Sequence, residues 1–306
     1  MQRKITVAFA AALLFAADAH AQQAAAPVAA PDFSKVEIQA TDLGKKTYML
    51  TGQGGNITVA IGDDGIIMVD GQFAPLHDKI AAAIKALSPL PIKYLVNTHF
   101  HGDHTGGNEG FKKDGVVIVA DPNVGKRLSE GSLNALTGAK TPPAPGNVPT
   151  QTYANTTSLK VKGRTAQIVH EPAAHTDGDS AIYFADANVL STGDIVTVGA
   201  RYPNIDVANG GNVKGMIAAV DGYLKMTNAD TKYVPGHGPL LNRAEITAYR
   251  DLLVAARDRV AKLIKDGKSE EDAVAAKPIT DLELKAGANE AGSANFVRLV
   301  YRSLKT

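Results

Sequence analysis

The chain has 306 residues, 44% apolar and 21% charged, with 29 glycines and no cysteine. Glycine far below about one third excludes collagen, and this apolar content with a net charge of only +1 excludes a disordered polyelectrolyte. Near balance between 32 basic and 31 acidic residues offers no general attraction to nucleic acid or to an anionic membrane.

Arg3 and Lys4 open the chain, residues 5–17 are apolar apart from Thr6, and Ala19-His20-Ala21 follows. A short basic start, an apolar run and a small-x-small site are the layout of a cleaved secretory signal peptide. About 13 apolar residues are too few for a membrane span, which needs roughly 20. The expectation is export to the periplasm or the medium, with a signal peptide at 1–21. A flexible Ala/Gln/Pro-rich arm is expected at 22–35 and one domain over 36–306. Removing residues 1–21 would take away Arg3, Lys4 and Asp18 and leave a formally neutral chain. Without cysteine there is no disulfide and no thiolate. Chemistry must come from histidine, carboxylates, hydroxyls, lysine or tyrosine.

In chain order, residues 46–50, 56–61 and 65–70 are β-rich runs between Gly/Asn/Asp turns, which predicts antiparallel strands. Residues 76–87 place Ile80, Ile84 and Leu87 at helical spacing. Ile92-Lys93-Tyr94-Leu95-Val96 reads as a buried strand running directly into a histidine-rich segment. Another strand is expected at 116–120 and a short helix at 122–130. A long Gly/Pro-rich surface loop is expected at 133–149. Strands follow at 158–161, 166–170, 180–184 and 188–191, a helix at 213–226 and a strand at 233–235. Asn242 with Glu245 forms a capping box opening a helix over 243–266, and a last helix spans 295–304. Alternation of strands and helices without repeats or an interior linker predicts an α/β fold.

The chemistry concentrates in His99-Phe100-His101-Gly102-Asp103-His104. Chance arrangement of this composition gives His-x-His-x-Asp-His in about four chains per ten thousand, so composition does not account for it. On an extended stretch His99 and His101 point the same way, and a bend at Gly102 would aim Asp103 and His104 at a second point nearby. Imidazole and carboxylate at this density suit zinc, with iron or manganese also compatible. His175, Asp194 (in Leu190-Ser-Thr-Gly-Asp) and His237 (in Val234-Pro-Gly-His-Gly-Pro) each lie at a strand end or turn, where α/β proteins place ligands.

In this order, with Asp70 ending an early strand before the histidine run, the motifs resemble the metallo-β-lactamase superfamily of binuclear metallohydrolases over about residues 45–265. The resemblance implies a four-layer αβ/βα sandwich with metals at the edge between its two sheets. It implies that His99, His101 and His175 hold one zinc and Asp103, His104 and His237 a second. Asp194 would bridge the two and Asp70 would orient the central loop from behind. It also implies a metal-activated hydroxide that attacks a carbonyl-type centre, with Asp103 both binding metal and accepting a proton. Tyr202, Asn204 and Asn212 fall in the loop after Asp194, where relatives bind substrate. His77 and His170 match no ligand motif and read as a rim or surface residue and a structural residue.

Members of that superfamily cleave β-lactams, lactones, thioesters and phosphodiesters. Asp194 replaces the Cys or Ser of the best-known exported β-lactamases, and Thr197 stands where the Cys-type enzymes carry Lys. These departures point toward a general hydrolase, with β-lactams still open as substrates because of the expected export. The expected partner is a small molecule, not nucleic acid or membrane, and the oligomeric state is left open. Two rival classes are a mononuclear iron enzyme of the persulfide-dioxygenase type on the same fold, and a non-catalytic zinc-binding protein.

Overall fold

The structure is a computed structural model that describes residues 32–199, 201–282 and 289–306. The expected signal peptide and residues 22–31 of the expected arm lie outside these residues.

Two sheets face one another. The first takes β1 (Gln39–Gly44), β2 (Thr47–Thr51), β3 (Ile57–Ile61), β4 (Ile66–Val69), β5 (Ile92–Val96) and β6 (Val117–Ala120) in sequence order. β7 (Ser132–Leu133) and β8 (Lys140–Thr141) form a separate hairpin, and β9 (Gln151–Thr152) returns to the first sheet beside β6. β1 to β4 pair antiparallel, and β4, β5, β6 and β9 pair parallel. The second sheet is β10 (Thr157–Val161), β11 (Arg164–Glu171), β12 (Asp179–Phe184), β13 (Val189–Thr197) and β14 (Lys232–His237), antiparallel except for the β13–β14 pair.

Successive side chains of a strand point to opposite faces, and the sequence fills both faces with apolar groups. In β4, Ile66 and Met68 join a cluster with Ile80 and Ile84 of α1 (His77–Leu87) and Phe111. Ile67 and Val69, on the other face, meet Ile168 of β11 and Ile182 and Phe184 of β12. The second sheet repeats the logic. Ala181 and Tyr183 of β12 face a cluster that includes Val220 and Tyr223 of α5 (Val213–Met226), Leu253 of α6 (Arg243–Lys265) and Val300 of α8 (Glu290–Lys305). The layers therefore run helix, sheet, sheet, helix, the arrangement the resemblance implies. Fully burying one such side chain contributes about 1.5–3 kcal/mol, so this double-sided patterning is the main driving force for the stack.

Local signals set the element ends. Asn242 caps α6 by accepting from the Ala244 and Glu245 amides while Glu245 reaches back to the Asn242 amide. Asp121 accepts from the Asn123 amide and starts α4 (Pro122–Glu130). Several features depart from expectation. The chain bends after His101 through a one-turn helix, α2 (Gly102–Thr105), and not through glycine freedom, since Gly102 lacks a positive φ and a Cβ there would meet open space. A second short helix follows, α3 (Asn108–Lys113). The expected 133–149 loop overlaps the β7–β8 hairpin and holds a 3-10 turn over Pro145–Asn147. A helix absent from the expectation, α7 (Glu270–Ala275), begins at a Ser269–Asp272 capping box. Among the described residues no helix is long and apolar enough to cross a membrane.

Candidate metal centre

Parallel strands deliver their carboxyl ends to one edge of the paired sheets, the usual place for ligands in α/β folds. Asp70 follows β4, the histidine run follows β5, Asp194 lies on β13 and His237 ends β14. His175 comes from the β11–β12 connection. Both sheets thus contribute donors, which form two groups: His99, His101, His175 and Asp194, and Asp103, His104 and His237.

In the first group, His101 Nδ1 lies 3.1 Å from His99 Nε2 and 3.0 Å from His175 Nε2. In the second, His237 Nε2 lies 3.1 Å from Asp103 Oδ2 and 3.4 Å from His104 Nε2. Asp194 stands between them. Its Oδ1 is 3.2 Å from His104 Nε2 and 3.5 Å from His237 Nε2, and its Oδ2 is 3.9 Å from His175 Nε2.

The groups behind the rings fix which nitrogen faces inward. Thr98 Oγ1 donates to Asp70 Oδ2 at 2.7 Å, so it accepts from His99 Nδ1 at 3.0 Å. His175 Nδ1 donates to the Asn204 carbonyl at 2.9 Å. His101 Nε2 donates to Asp206 Oδ2 at 3.0 Å. His104 Nδ1 donates to Asp70 Oδ2 at 2.8 Å. His99, His101 and His175 spend an N–H outward and turn the other ring nitrogen to the centre, the orientation that metal ligation needs, and His104 likewise directs Nδ1 at Asp70 and Nε2 at the centre. Asp70 adopts a left-handed backbone (φ 63°) that Asp tolerates better than most residues. From there its Oδ1 accepts the Thr98 amide at 2.8 Å, tying the start of the histidine run to β4.

The electrostatics fit a cation. Burial, reinforced by neighbouring histidines, holds His99 well below the usual histidine range, and burial with His101 pulls His175 down to about 4. Burial also works against charge on His104, but Asp194, Asp70 and Asp103 together outweigh it and hold that ring well above the usual range. Burial opposes ionisation of Asp103, yet His104 and His237 bring it to about 2. Asp194 likewise stays ionised against burial because His104 and other rings face it. Carboxylates and bare imidazole nitrogens are thus crowded together with too few protons to pair them.

Asp194 Oδ1 carries the test of fit. It is buried and makes no hydrogen bond, despite the nearby rings. A buried carboxylate oxygen without a partner is costly, and a cation between the rings would satisfy it. Nitrogens on a tetrahedral zinc lie about 3.3 Å apart, close to the spacings in both groups. Two glycines keep the space open: a Cβ on Gly55 would overlap the His104 ring, and one on Gly236 would overlap Asp194 Oδ1. His101 and Asp103 side chains are each 26% exposed while those of His104 and His175 are fully buried, so the first two mark the open side.

The remaining expected residues divide. Asn204 holds His175 through its carbonyl and lines a cavity beside His101. Asn212 caps α5 by accepting from the Lys214 amide and donates to the Ser303 carbonyl, so both ends of its amide serve the fold. Tyr202 stacks on Phe296. His77 is held between Asp78 and Asp114 against Phe111, and His170 sits 3.4 Å from Asp121 Oδ2 and 3.2 Å from the Asp179 carbonyl. Asp206, Thr98 and Asn209, which donates to Asp206 Oδ2 at 2.7 Å, are supporting residues absent from the sequence reading. Only the threonine carried a signal, its place directly before the histidine run.

Comparison with known proteins bears on the family and the fold. A linear primary-alkylsulfatase from Pseudomonas sp. is 24% identical over 285 residues, covering 79% of this chain and 52% of the relative. The α subunit of a 2,4-dinitroanisole O-demethylase from Nocardioides sp. is 28% identical over 153 residues, covering 47% of this chain and 42% of the relative. The chain thus spans about half the length of these curated relatives. Among solved structures, a metallo-beta-lactamase from Pontibacter korlensis shares the fold with a TM-score of 0.59 at 19% identity, covering 71% of this chain and 99% of that one. The sec-alkylsulfatase Pisa1 from Pseudomonas sp. gives 0.60 at 18% identity, covering 87% and 50%. The sequence profile of the metallo-beta-lactamase superfamily matches residues 50–263, and the chain belongs to that superfamily.

Proposed function

We propose that this chain is an exported, binuclear zinc hydrolase that cleaves a carbonyl-type bond: a lactam, lactone, ester or thioester. His99, His101 and His175 would hold one ion, Asp103, His104 and His237 the other, and Asp194 would serve both. Two such ions, when bound, would supply a hydroxide at neutral pH and Lewis-acid polarisation of a substrate oxygen. The chain's own residues do the rest. Thr98, Asp206, Asn204 and Asp70 keep the four rings oriented. Asp103, partly exposed on the open side and ionised, is placed to take a proton from an incoming water. The absence of cysteine is no obstacle, because this chemistry uses no protein nucleophile.

The observation that carries the reading is Asp194, with one oxygen toward each donor group and Oδ1 unpartnered. A mononuclear iron centre would leave the Asp103, His104 and His237 group without purpose. Export rests on residues 1–21 alone, and N-terminal sequencing of secreted protein starting at Gln22 would support it. Hydrolysis of alkyl sulfate esters is a second reading, favoured by the 285-residue match to an alkylsulfatase.

The test is elemental analysis of zinc-replete protein beside a hydrolysis panel of nitrocefin, lactones, thioesters, aryl esters and dodecyl sulfate. Two ions per chain and chelator-sensitive turnover are expected. One ion at saturation rejects the binuclear reading. Turnover of dodecyl sulfate alone moves the substrate to the second reading.

A further inference from the structure

His237 differs from the other four imidazoles of the centre. Its Nε2 faces Asp103, His104 and Asp194, but among the described residues no side chain or carbonyl partners its Nδ1. Metal-ligating rings are ordinarily oriented by an outer partner, so here the orientation must come from the backbone. The second sheet supplies one hold, the Val198 amide donating to the His237 carbonyl at 3.0 Å. The first sheet supplies three more, all from a single residue.

Asn56 lies in the connection between β2 and β3 and is buried. Its backbone amide donates to the Gly236 carbonyl at 2.7 Å. Its side-chain nitrogen donates to the Pro235 and Gly238 carbonyls, both at 2.9 Å. Carbonyls only accept, so the nitrogen end of the amide must face them, and both of its N–H groups are spent. The three bonds bracket His237 on either side along the chain. The residue before Asn56 reaches the rest of the same donor group. The Gly55 amide donates to the Asp103 carbonyl at 3.0 Å, and Gly55 lies directly against the His104 ring. Gln72, itself buried, pins that segment by donating to the Gly55 carbonyl at 2.7 Å. Asp103, His104 and His237 therefore all meet Gly55-Asn56, whereas no hydrogen bond among the described residues joins Asn56 to His99, His101 or His175.

We infer that Asn56 is the positioning residue of His237, a clamp from the first sheet that sets how tightly the second donor group holds its ion. The clamp itself stands on the hydrogen bonds, while the ion it serves rests on the binuclear reading. Without the Asn56 amide, His237 keeps its anchor at Val198 but loses the side-chain anchors from the opposite sheet. Its Nε2 is then free to leave the point it shares with Asp103 and His104. The first donor group, held by Thr98, Asp206 and Asn204, is untouched.

The experiment is zinc titration of the full chain in chelator competition. Asn56→Leu keeps the branched shape and removes both N–H donors, and Asn56→Ala removes the bulk as well. Each should weaken one ion by about tenfold or more and leave the other within about twofold of wild type. Thr58→Val is the control. Thr58 of β3 also makes a buried bond across the sheets, to Ser191 Oγ at 3.1 Å, but it reaches no donor residue, and its loss should leave both ions unchanged. Added to His237→Ala, Asn56→Leu should weaken binding by no more than about twofold further, because the ring it positions is already gone. Unchanged affinities, equal weakening of both ions, the same effect from Thr58→Val, or full additivity with His237→Ala each overturn the clamp. Failure of both Asn56 variants to fold assigns the residue to the fold alone and overturns it too. Turnover enters none of these readouts. Selective weakening in a chain that hydrolyses no panel substrate keeps the clamp and rejects the hydrolase, and a chelator-sensitive hydrolase whose ions ignore Asn56 does the reverse. A wild type that takes a single ion rejects the binuclear reading, and the cycle with His237→Ala then decides the clamp by itself.

Discussion

The two donor groups solve the same problem with different materials. His99, His101 and His175 form an all-imidazole triangle, held from behind by a hydroxyl, a carboxylate and a carbonyl. Burial strips charge from two of its rings. Asp103, His104 and His237 instead gather charge: Asp194, Asp70 and Asp103 face His104 and hold that ring's pKa well above the usual histidine range. The first group is prepared as a set of lone pairs and the second as a set of charges. A cation entering the first group meets rings that burial keeps from charging, whereas one entering the second competes with protons for His104.

Asp194 is the point where this contrast can be broken outright. Asp194→Ala removes the side chain that stands between the two groups. Metal content should fall from two ions per chain to roughly one or fewer, and turnover should fall to background. Two full ions retained in elemental analysis would show that the groups load independently.

The next two variants sharpen the contrast, one loosening a support that reaches both groups and the other a support of the first group alone. Asp70→Asn weakens the hold on His104 and Thr98 together. Affinity for the more weakly held ion should drop by about 10–100-fold in chelator competition. Asp206→Asn removes the charge behind His101 alone, and the drop should sit near about tenfold, confined to the other ion. Equal effects of the two variants on both ions would erase the distinction drawn here.

The smallest effect tests what burial does to a carboxylate that no imidazole faces. Glu171, four residues before His175, is pushed up to about 7 by burial. Between about 4.5 and 7 the folded chain keeps a proton that the unfolded chain has released. This contribution to stability is therefore full below pH 4.5 and is lost as pH rises through 7. Glu171→Gln removes the titration. Its Tm relative to wild type should be higher at pH 8 than at pH 5, by about 2 °C. An unchanged difference across that range would place Glu171 in contact with solvent.

How much of this was legible depended on spacing along the chain. His99, His101, Asp103 and His104 declare themselves because they are packed into six residues. The buried strands are legible because both faces are apolar, as in Ile66-Ile67-Met68-Val69. β1 escaped because only Leu43 of its six residues is buried, leaving no alternation to read. Asp206 escaped because its partner His101 lies 105 positions away, and nothing in Ile205-Asp206-Val207 marks it. The bend after His101 falls where the sequence puts it, but its cause is another: the chain turns at Gly102 by starting a helix and not by glycine freedom.

Donors from opposite sheets meet at one edge, with the histidine run on the first sheet and His175, Asp194 and His237 on the second. Ions seated there would act as rivets through the sandwich as well as reagents. Occupancy then becomes a thermodynamic term in folding, worth about 2.7 kcal/mol when free metal stands at 100 times its dissociation constant. A protein built this way would be sturdiest where metal is plentiful, and metal starvation would loosen the sandwich at that same edge.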